Sequence, residues 1–341
     1  MGPGGVLPGP HLHALMSVGV SALPPVLTEA PVLARVVRGG FTESVHRASV
    51  CVLAPDGSVE LALGDITSPI FPRSSNKPMQ ALAMVRAGLD LPDHLLALGC
   101  ASHSGLPYHL QGVDEILAGV GLTRADLQNT PDYPVDPVEH DRVIAAGLAK
   151  SSAMQNCSGK HAAMLATCHA NGWPTATYLQ MSHPLQSAIA ATMADLCAEP
   201  VAAIAVDGCG APVMAVSLTG LARAFGALAA ADATTPEGRV AHAMRAFPQY
   251  VGGEGRDVTA LMLGTPGAIA KDGAEAVYAV GLADGRGIAL KVADGGQRAR
   301  PVILAELLAR LGVETNADAE LRDAPVLGHG VPVGAVEAVP W

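Results

Sequence analysis

The sequence predicts an α+β protein in which an antiparallel sheet is flanked by helices. Two hairpin patterns, one towards each end of the chain, and a run of helical patterns between them lead to this prediction. Half of the 341 residues are hydrophobic and only 15% are charged, so the chain can bury a large core as one unit with two lobes.

The first hairpin is predicted from two β-rich runs, Ser49–Leu53 and Val59–Leu63, because the segment between them contains the turn pair Asp56-Gly57. A second hairpin joins Tyr278–Leu282 to Gly287–Val292 across Asp284-Gly285-Arg286. Gly287–Val292 is apolar enough for a central strand, and the same is predicted for Val201–Val206.

The helical segments are rich in apolar residues, and three of the five begin with a proline. They are predicted at Pro78–Ala87, Val113–Val120, Pro184–Cys197, Ala222–Ala243 with a break at Thr234-Thr235-Pro236, and Pro301–Leu311. Proline is tolerated at the start of such helices because the first turn does not use its missing N–H.

Composition excludes several classes of function. The net charge is −10 and the pI is about 5.6, which argues against a nucleic-acid partner, and no apolar run is long enough to span a membrane. Residues 1–34 are rich in Pro and Gly and are predicted to be a disordered tail, in which Met16 is an alternative start, ahead of one catalytic domain at 35–341. The tail lacks the positive charge of a secretory signal, so a cytoplasmic protein with free thiols is predicted.

Lysine is scarce in this chain, with five lysines against sixteen arginines. Three of the five close or open polar clusters, namely Arg73-Ser74-Ser75-Asn76-Lys77, Asn156-Cys157-Ser158-Gly159-Lys160-His161 and Lys271-Asp272-Gly273. Lysine differs from arginine in that it can lose its proton, which makes it available as a general base or as a metal ligand. The pattern favours an enzyme with a deprotonatable lysine at its centre.

Ser74 and Lys77 lie three residues apart at a predicted helix start, which points both side chains to one face. Followed by Ser102-His103-Ser104 and Lys271-Asp272-Gly273, they resemble the three motifs of acyl-serine enzymes of the β-lactamase and penicillin-binding type. In that interpretation Ser74 is the nucleophile and Lys77 its base. The plainer interpretation is a helix cap followed by a solvated lysine. Arg73 could clamp a substrate carboxylate.

Cys157 lies in the polar segment Asn156-Cys157-Ser158-Gly159-Lys160-His161. Cys209 lies in Asp207-Gly208-Cys209, which follows a predicted strand. Two thiolates brought together from distant loops can bind Zn²⁺ with a further ligand, and His161 is one helical turn from Cys157. A second interpretation makes Cys157 a nucleophile with His161 as base. The third is plain core packing, since buried thiols are common.

Taken together, these segments resemble the serine–lysine L-asparaginases of the rhizobial type, the asparaginase II family, and not the threonine-dependent asparaginases. The matching stretches run in the family's order from about residue 35 to 310: Arg38-Gly39-Gly40, Glu43-Ser44 with His46, Arg73-Ser74 with Lys77-Pro78, Cys100-Ala101-Ser102-His103-Ser104, Asn156-Cys157-Ser158-Gly159-Lys160-His161, Asp207-Gly208-Cys209, Gly253-Glu254-Gly255-Arg256, and Gly267-Ala268 ahead of Lys271.

The resemblance implies a β-lactamase/penicillin-binding-protein-like fold, a homodimer and hydrolysis of L-asparagine through an acyl-serine. It implies two Ser–Lys pairs, Ser74 with Lys77 and Ser102 with Lys271, and puts Arg73 and Asp207 at the substrate. It also implies that Cys157, Lys160 and Cys209 are zinc ligands.

The chain departs from the family's pattern at two places. Gly105-Leu106-Pro107 stands where the family usually carries an acidic residue, and Asp257-Val258 stands where some relatives carry a cysteine. The first departure leaves the substrate open, so an acyl-serine hydrolase acting on glutamine or a lactam is a second hypothesis. A zinc-binding protein without turnover is a third.

Overall fold

The computed structural model describes residues 24–341, and all ten strands of this range are paired antiparallel. They are β1 (Val32–Arg38), β2 (Phe41–Leu53), β3 (Val59–Leu63), β4 (Ala203–Val206), β5 (Pro212–Ala215), β6 (Ile269–Gly273), β7 (Val277–Gly281), β8 (Gly287–Val292), β9 (Pro325–Gly328) and β10 (Val331–Ala338). Eight strands form one sheet in the order β6-β7-β8-β2-β1-β10-β9, with β3 paired to β2, and β4 and β5 form a separate ribbon.

In residues 24–341 the helices lie before β1, between β3 and β6, or between β8 and β9. They are α1 (Pro25–Thr28), α2 (Lys77–Arg86), α3 (Asp93–Gly99), α4 (Pro107–Ala118), α5 (Pro137–Ala145), α6 (Ser158–Ala170), α7 (Pro184–Cys197), α8 (Leu218–Ala230), α9 (Pro236–Ala246), α10 (Pro248–Val251), α11 (Asp257–Gly264), α12 (Arg300–Arg310) and α13 (Asp318–Arg322).

The sheet and the helices share one continuous hydrophobic core. Helix α8 packs on β2, β7 and β8, and α12 packs on β1, β8 and β10, while α2, α3, α6, α7 and α9 pack on one another. The α+β class with an antiparallel sheet flanked by helices is confirmed. Two lobes are therefore present, a sheet lobe and a helical lobe, joined through α8.

Both predicted hairpins are confirmed, since β2 pairs with β3 and β7 with β8. The predicted helix Pro184–Cys197 is α7, and the predicted break in the alanine-rich segment lies between α8 and α9. The prediction that Val201–Val206 forms a central strand is wrong. Its residues form β4, which lies in the two-stranded ribbon and is exposed along its length, because an apolar β run does not by itself reveal how many strands will cover it.

The predicted tail needs a similar correction at its end. Residues 1–23 lie outside the described residues, but the last part of the tail, from Pro24 on, is ordered: α1 begins at Pro25 and β1 at Val32. Val26 and Leu33 are buried in the core, so the folded domain begins before residue 35. Within residues 24–341, none of the helices combines the length and apolar character needed to cross a bilayer.

Edge strand β6 lies beside the turn that precedes α2, and a glycine permits this contact. The turn is a 3-10 helix at Arg73–Asn76, and a Cβ on Gly273 would lie 2.5 Å from the carbonyl oxygen of Pro72. The Ser75 hydroxyl donates to the carbonyl oxygen of Lys271 at 3.1 Å. This contact brings the Ser-x-x-Lys turn against the strand that carries Lys271.

Candidate active site

The three lysines of the polar clusters are buried. Lys77, Lys160 and Lys271 are each at most 2% exposed, whereas Lys150 has 54% of its side chain exposed. Lys291 is also buried, where it donates to backbone carbonyl oxygens of Glu275 and Val292. An amine is buried only when polar partners replace its water, so the partners of the first three lysines define the site.

Lys77, the first residue of α2, lies at the meeting point of three segments. Its amine donates to the carbonyl oxygen of Ala101 at 2.5 Å, to the hydroxyl of Ser102 at 3.0 Å and to the sulfur of Cys157 at 3.2 Å. Ser74, which is half-buried one turn earlier, is not among these partners. The structure thus links Lys77 to the second predicted serine, Ser102, and the roles predicted for Ser74 and Lys77 stay predictions.

Arg73 precedes the predicted nucleophile in an unusual backbone conformation. Its φ is +51°, a left-handed value that is uncommon outside glycine and often marks functional sites. Its Nε donates to Oδ1 of Asp207 at 2.7 Å. The two predicted substrate-binding residues are therefore a pair, in which Asp207 occupies one nitrogen of the guanidinium.

Asp207 and Cys209 lie in the turn that joins β4 to β5. The amide of Asp207 donates to the carbonyl oxygen of Ala211, and the amide of Gly210 donates to that of Asp207, both at 2.8 Å. Gly210 has a φ of +89°, which favours glycine at this position. This short turn holds the Asp207 carboxylate towards Arg73 and the Cys209 sulfur in the interior.

Cys157, Lys160 and Cys209, the predicted zinc ligands, lie close together. Cys157 caps α6 and Lys160 lies in its first turn, and the Lys160 amine donates to the Cys209 sulfur at 3.2 Å. The two cysteines belong to one small buried cluster with Ala211, and all three predicted ligands are no more than 3% exposed. The helix start α6 and the β4–β5 turn therefore converge on one buried point.

Cys157, Lys160 and Cys209 differ in their pKa shifts. The hydrogen bond from Cys157 and the Lys160 ammonium lower the pKa of Cys209 to about 4, whereas the same hydrogen bond and burial raise the pKa of Cys157 to about 12. Burial opposes the charge of Lys160, but the neighbouring sulfurs outweigh it and raise the lysine's pKa. Without a metal the site is a thiolate–ammonium pair beside a neutral thiol.

These residues fit a zinc ion. Two sulfurs and one amine share a buried point, and sulfur and nitrogen donors are those that zinc prefers. The fit depends on the lysine, because no group of three or more His, Cys, Asp or Glu residues in the described range could hold a metal ion. Lysine can serve only as the neutral amine, so metal binding must displace its proton.

His161 does not pair with Cys157 as a base would. Its Nδ1 lies 2.7 Å from the hydroxyl of Tyr178, and burial lowers its pKa well below the usual value. Besides Cys209, the polar partners of the Cys157 sulfur are the Lys77 amine and the side-chain oxygen of Asn156. The interpretation of Cys157 as a nucleophile activated by His161 therefore lacks its base.

Lys271 is bound by an acid that sequence reasoning missed. Its amine donates to the carboxylate and to the carbonyl oxygen of Asp272, and no hydrogen bond joins it to Ser102 in the described range. Arg256 and Arg300 approach the same carboxylate from α11 and α12. The adjacency Lys271-Asp272 and the arginine of Gly253-Glu254-Gly255-Arg256 were the available signals.

A family model described as L-asparaginase II matches residues 34–338. This match covers most of the chain, and the chain therefore belongs to the L-asparaginase II family, a family of amidohydrolases. No match was found among curated proteins.

Among solved structures, the chain is similar to Mglu in the presence of 4.3 M NaCl (14% identity, 83% of this chain, 63% of that chain, TM-score 0.35). It is similar to a Bacillus glutaminase (12% identity, 78% and 91%, TM-score 0.35) and to EstCE1, described as a hydrolase with promiscuous acyltransferase activity (11% identity, 79% and 90%, TM-score 0.38). The chain spans less than two thirds of the Mglu chain.

Proposed function

We propose that this protein hydrolyses the side-chain amide of free L-asparagine to aspartate and ammonia through an acyl-serine intermediate. The observation that carries the proposal is the buried Lys77 amine, which bonds the Ser102 hydroxyl at 3.0 Å at the start of the helix that follows Ser74. A neutral lysine can accept a proton from an attacking serine. Family membership supports the reaction class.

The proposal assigns the following roles. Ser74 attacks the amide carbon, and its proton passes to Lys77, with Ser102 as the hydroxyl that hands the proton on to the leaving ammonia. Lys271 borders this group through the Ser75–Lys271 backbone contact at 3.1 Å. Water then attacks the acyl-serine and releases aspartate, with the same lysine as base.

Recognition of a free amino acid is assigned to Arg73, with Asp207 as its support. Asp207 engages Nε alone, so the two terminal nitrogens remain for a substrate carboxylate, which they match as a planar fork. We further propose that Cys157, Lys160 and Cys209 hold zinc, which when bound supplies positive charge and structural order next to Lys77. We also propose that the protein is a cytoplasmic homodimer, in line with its resemblance to the family.

The test is ammonia release from L-asparagine, L-glutamine and a chromogenic lactam by the wild type and by Ser74→Ala. The variant should lose at least ~10³-fold in kcat, typical when a nucleophile is removed, with an unchanged thermal midpoint. Ser75→Ala is the matched control. It removes the neighbouring hydroxyl and one hydrogen bond of about 1 kcal/mol, so it should lose less than about tenfold.

Peptide mapping of enzyme quenched in acid during turnover should find the aspartyl ester on Ser74. Near-normal turnover by Ser74→Ala, or an acyl group on another residue, would overturn the assignment. Faster ammonia release from glutamine, or hydrolysis of the lactam, would show that asparagine is not the preferred substrate but would leave the acyl-serine mechanism in place.

A further inference from the structure

Asp272 lies at the centre of a buried ion cluster behind Lys271. One carboxylate oxygen accepts a hydrogen bond from the Lys271 amine, and the other accepts one from Nη2 of Arg256 at 2.7 Å. Nη1 of Arg300 lies 3.6 Å from that second oxygen. The side chains of Lys271, Asp272 and Arg300 are 0%, 8% and 8% exposed and that of Arg256 is 23% exposed, so water screens the three inner charges little and that of Arg256 more.

Arg300 is engaged mainly elsewhere. Its Nη2 donates to the Asp257 carboxylate at 2.6 Å, and its guanidinium lies 4.9 Å from the centre of the Tyr278 ring. Asp257 is the residue that stands where some relatives carry a cysteine. By holding Arg300, Asp257 leaves the second oxygen of Asp272 chiefly to Arg256.

The cluster contains one positive charge too many when Lys271 is protonated. Its three cations are Lys271, Arg256 and Arg300, and its two anions are Asp257 and Asp272. An unbalanced charge is costly in a buried site, and a guanidinium does not lose its proton. Lys271 is therefore the member that can restore neutrality, and burial lowers its pKa to about 8.

The groups that face Lys271 act in opposite directions. Asp272, on its own strand, favours the ammonium, while Arg256 at the start of α11 disfavours it, as does Lys77 on α2 whenever its amine is protonated. Cys100 after α3 is a neutral thiol at pH 7, because burial raises its pKa to about 12. Burial likewise keeps the Tyr278 phenol on β7 protonated, by raising its pKa well above the usual value.

We propose that Arg256 is a positioning residue that, by occupying the second oxygen of Asp272, weakens the hold of this carboxylate on the Lys271 ammonium and so makes the amine easier to deprotonate. Arg256 also reaches the carbonyl oxygen of Ser102 at 3.4 Å, so the same guanidinium ties the Ser102 segment to the Lys271 cluster. The inference rests on the proposed function in one respect: a neutral Lys271 is useful there as a second base. Its charge state can be measured without turnover.

The test is an NMR titration of protein labelled with ¹⁵N and ¹³C lysine. The chain has five lysines, so five side-chain signals are expected, and Lys271→Met identifies the one of interest. In the wild type this signal should titrate near pH 8. In Arg256→Gln the loss of a neighbouring positive charge favours the ammonium, so the midpoint should rise by roughly one pH unit.

Two further variants distinguish the effect of the positive charge of Arg256 from the effect of a structural change. Arg256→Lys keeps the positive charge and should leave the Lys271 midpoint within about 0.3 units, even if folding is weakened. Arg124→Gln removes an arginine from an exposed ion pair with Asp114 and should leave the midpoint unchanged. A midpoint near 10 in the wild type, or an unchanged midpoint in Arg256→Gln, would overturn the inference.

Activity then gives an independent readout. The acid limb of kcat/KM for asparagine should move to higher pH in Arg256→Gln together with the NMR midpoint, and should stay in place in Arg256→Lys. A shifted midpoint without amide hydrolysis by any form of the protein would support the inference and reject the proposed function. A shifted midpoint with an unmoved acid limb would reject the link between Arg256 and the base.

Discussion

Arg73 offers the sharpest test of substrate recognition. Asp207 accepts a hydrogen bond from its Nε at 2.7 Å, and neither terminal nitrogen has a hydrogen-bond partner among residues 24–341. If these nitrogens bind the α-carboxylate of asparagine, Arg73→Met should raise KM for asparagine and change kcat little, which is the signature of lost uniform binding.

The size of the effect follows from the contacts. A hydrogen bond to a charged group contributes about 1.5–3 kcal/mol, which corresponds to about 10- to 150-fold in affinity, so about 10²-fold in KM is expected for Arg73→Met. Asp207→Asn keeps the guanidinium but removes its charged anchor, and about tenfold is expected. The double variant should resemble Arg73→Met alone, because Asp207 acts through Arg73.

The assay is steady-state ammonia release from L-asparagine and from β-alaninamide, which has the same amide and amine but lacks the carboxylate. Only asparagine should respond to Arg73→Met. Arg86→Met, which removes a surface arginine paired with Asp195 and Glu237, is the control for loss of an arginine. Equal losses on both substrates, or a fall in kcat without a rise in KM, would refute the carboxylate clamp.

Three other outcomes are expected. Lys77→Arg should lower kcat nearly as much as Lys77→Ala, about 10²- to 10⁴-fold, because a guanidinium cannot act as base. An active Lys77→Arg variant would mean that Lys77 contributes only its positive charge. Cys157→Ser and Cys209→Ser should each lower zinc content, measured by atomic absorption, and raise KM more than they lower kcat; a dead Cys157→Ser that retains metal would favour a cysteine nucleophile instead. Leu106→Glu, at the start of α4, should lower KM for asparagine and not for an N-blocked analogue; an equal response of both substrates would remove this residue from the ammonium site.

The elements that could be predicted from the sequence carry local signals. Pro184–Cys197 begins with a proline and forms α7, and Gly287–Val292, after an Asp-Gly turn, forms β8. Val201–Val206 has the same apolar character as β8 but ends in an exposed ribbon. Whether a strand is central depends on its neighbours in space, which lie far away in sequence.

In the site, too, local signals could be recognised in the sequence, whereas contacts between distant segments could not. Lysine scarcity and motif order led to Lys77, Lys160 and Lys271, all of which are buried. The partnership of Lys77 with Ser102 could not be read from spacing, because it depends on how α2 packs against the segment after α3. The role of Arg256 was also hidden, since a single arginine in a glycine-rich segment has no local partner.

The turn between β4 and β5 has a consequence for the evolution of this pocket. Asp207 at its start anchors Arg73, and Cys209, two residues later, completes the thiol–amine site. If Arg73 selects the substrate and the thiol–amine site holds zinc, as proposed above, the two properties are inherited together, because an insertion or deletion in residues 207–211 would displace both side chains at once. Selection for a new amide should accordingly spare the length of this turn and act on surfaces that approach Arg73 from other segments.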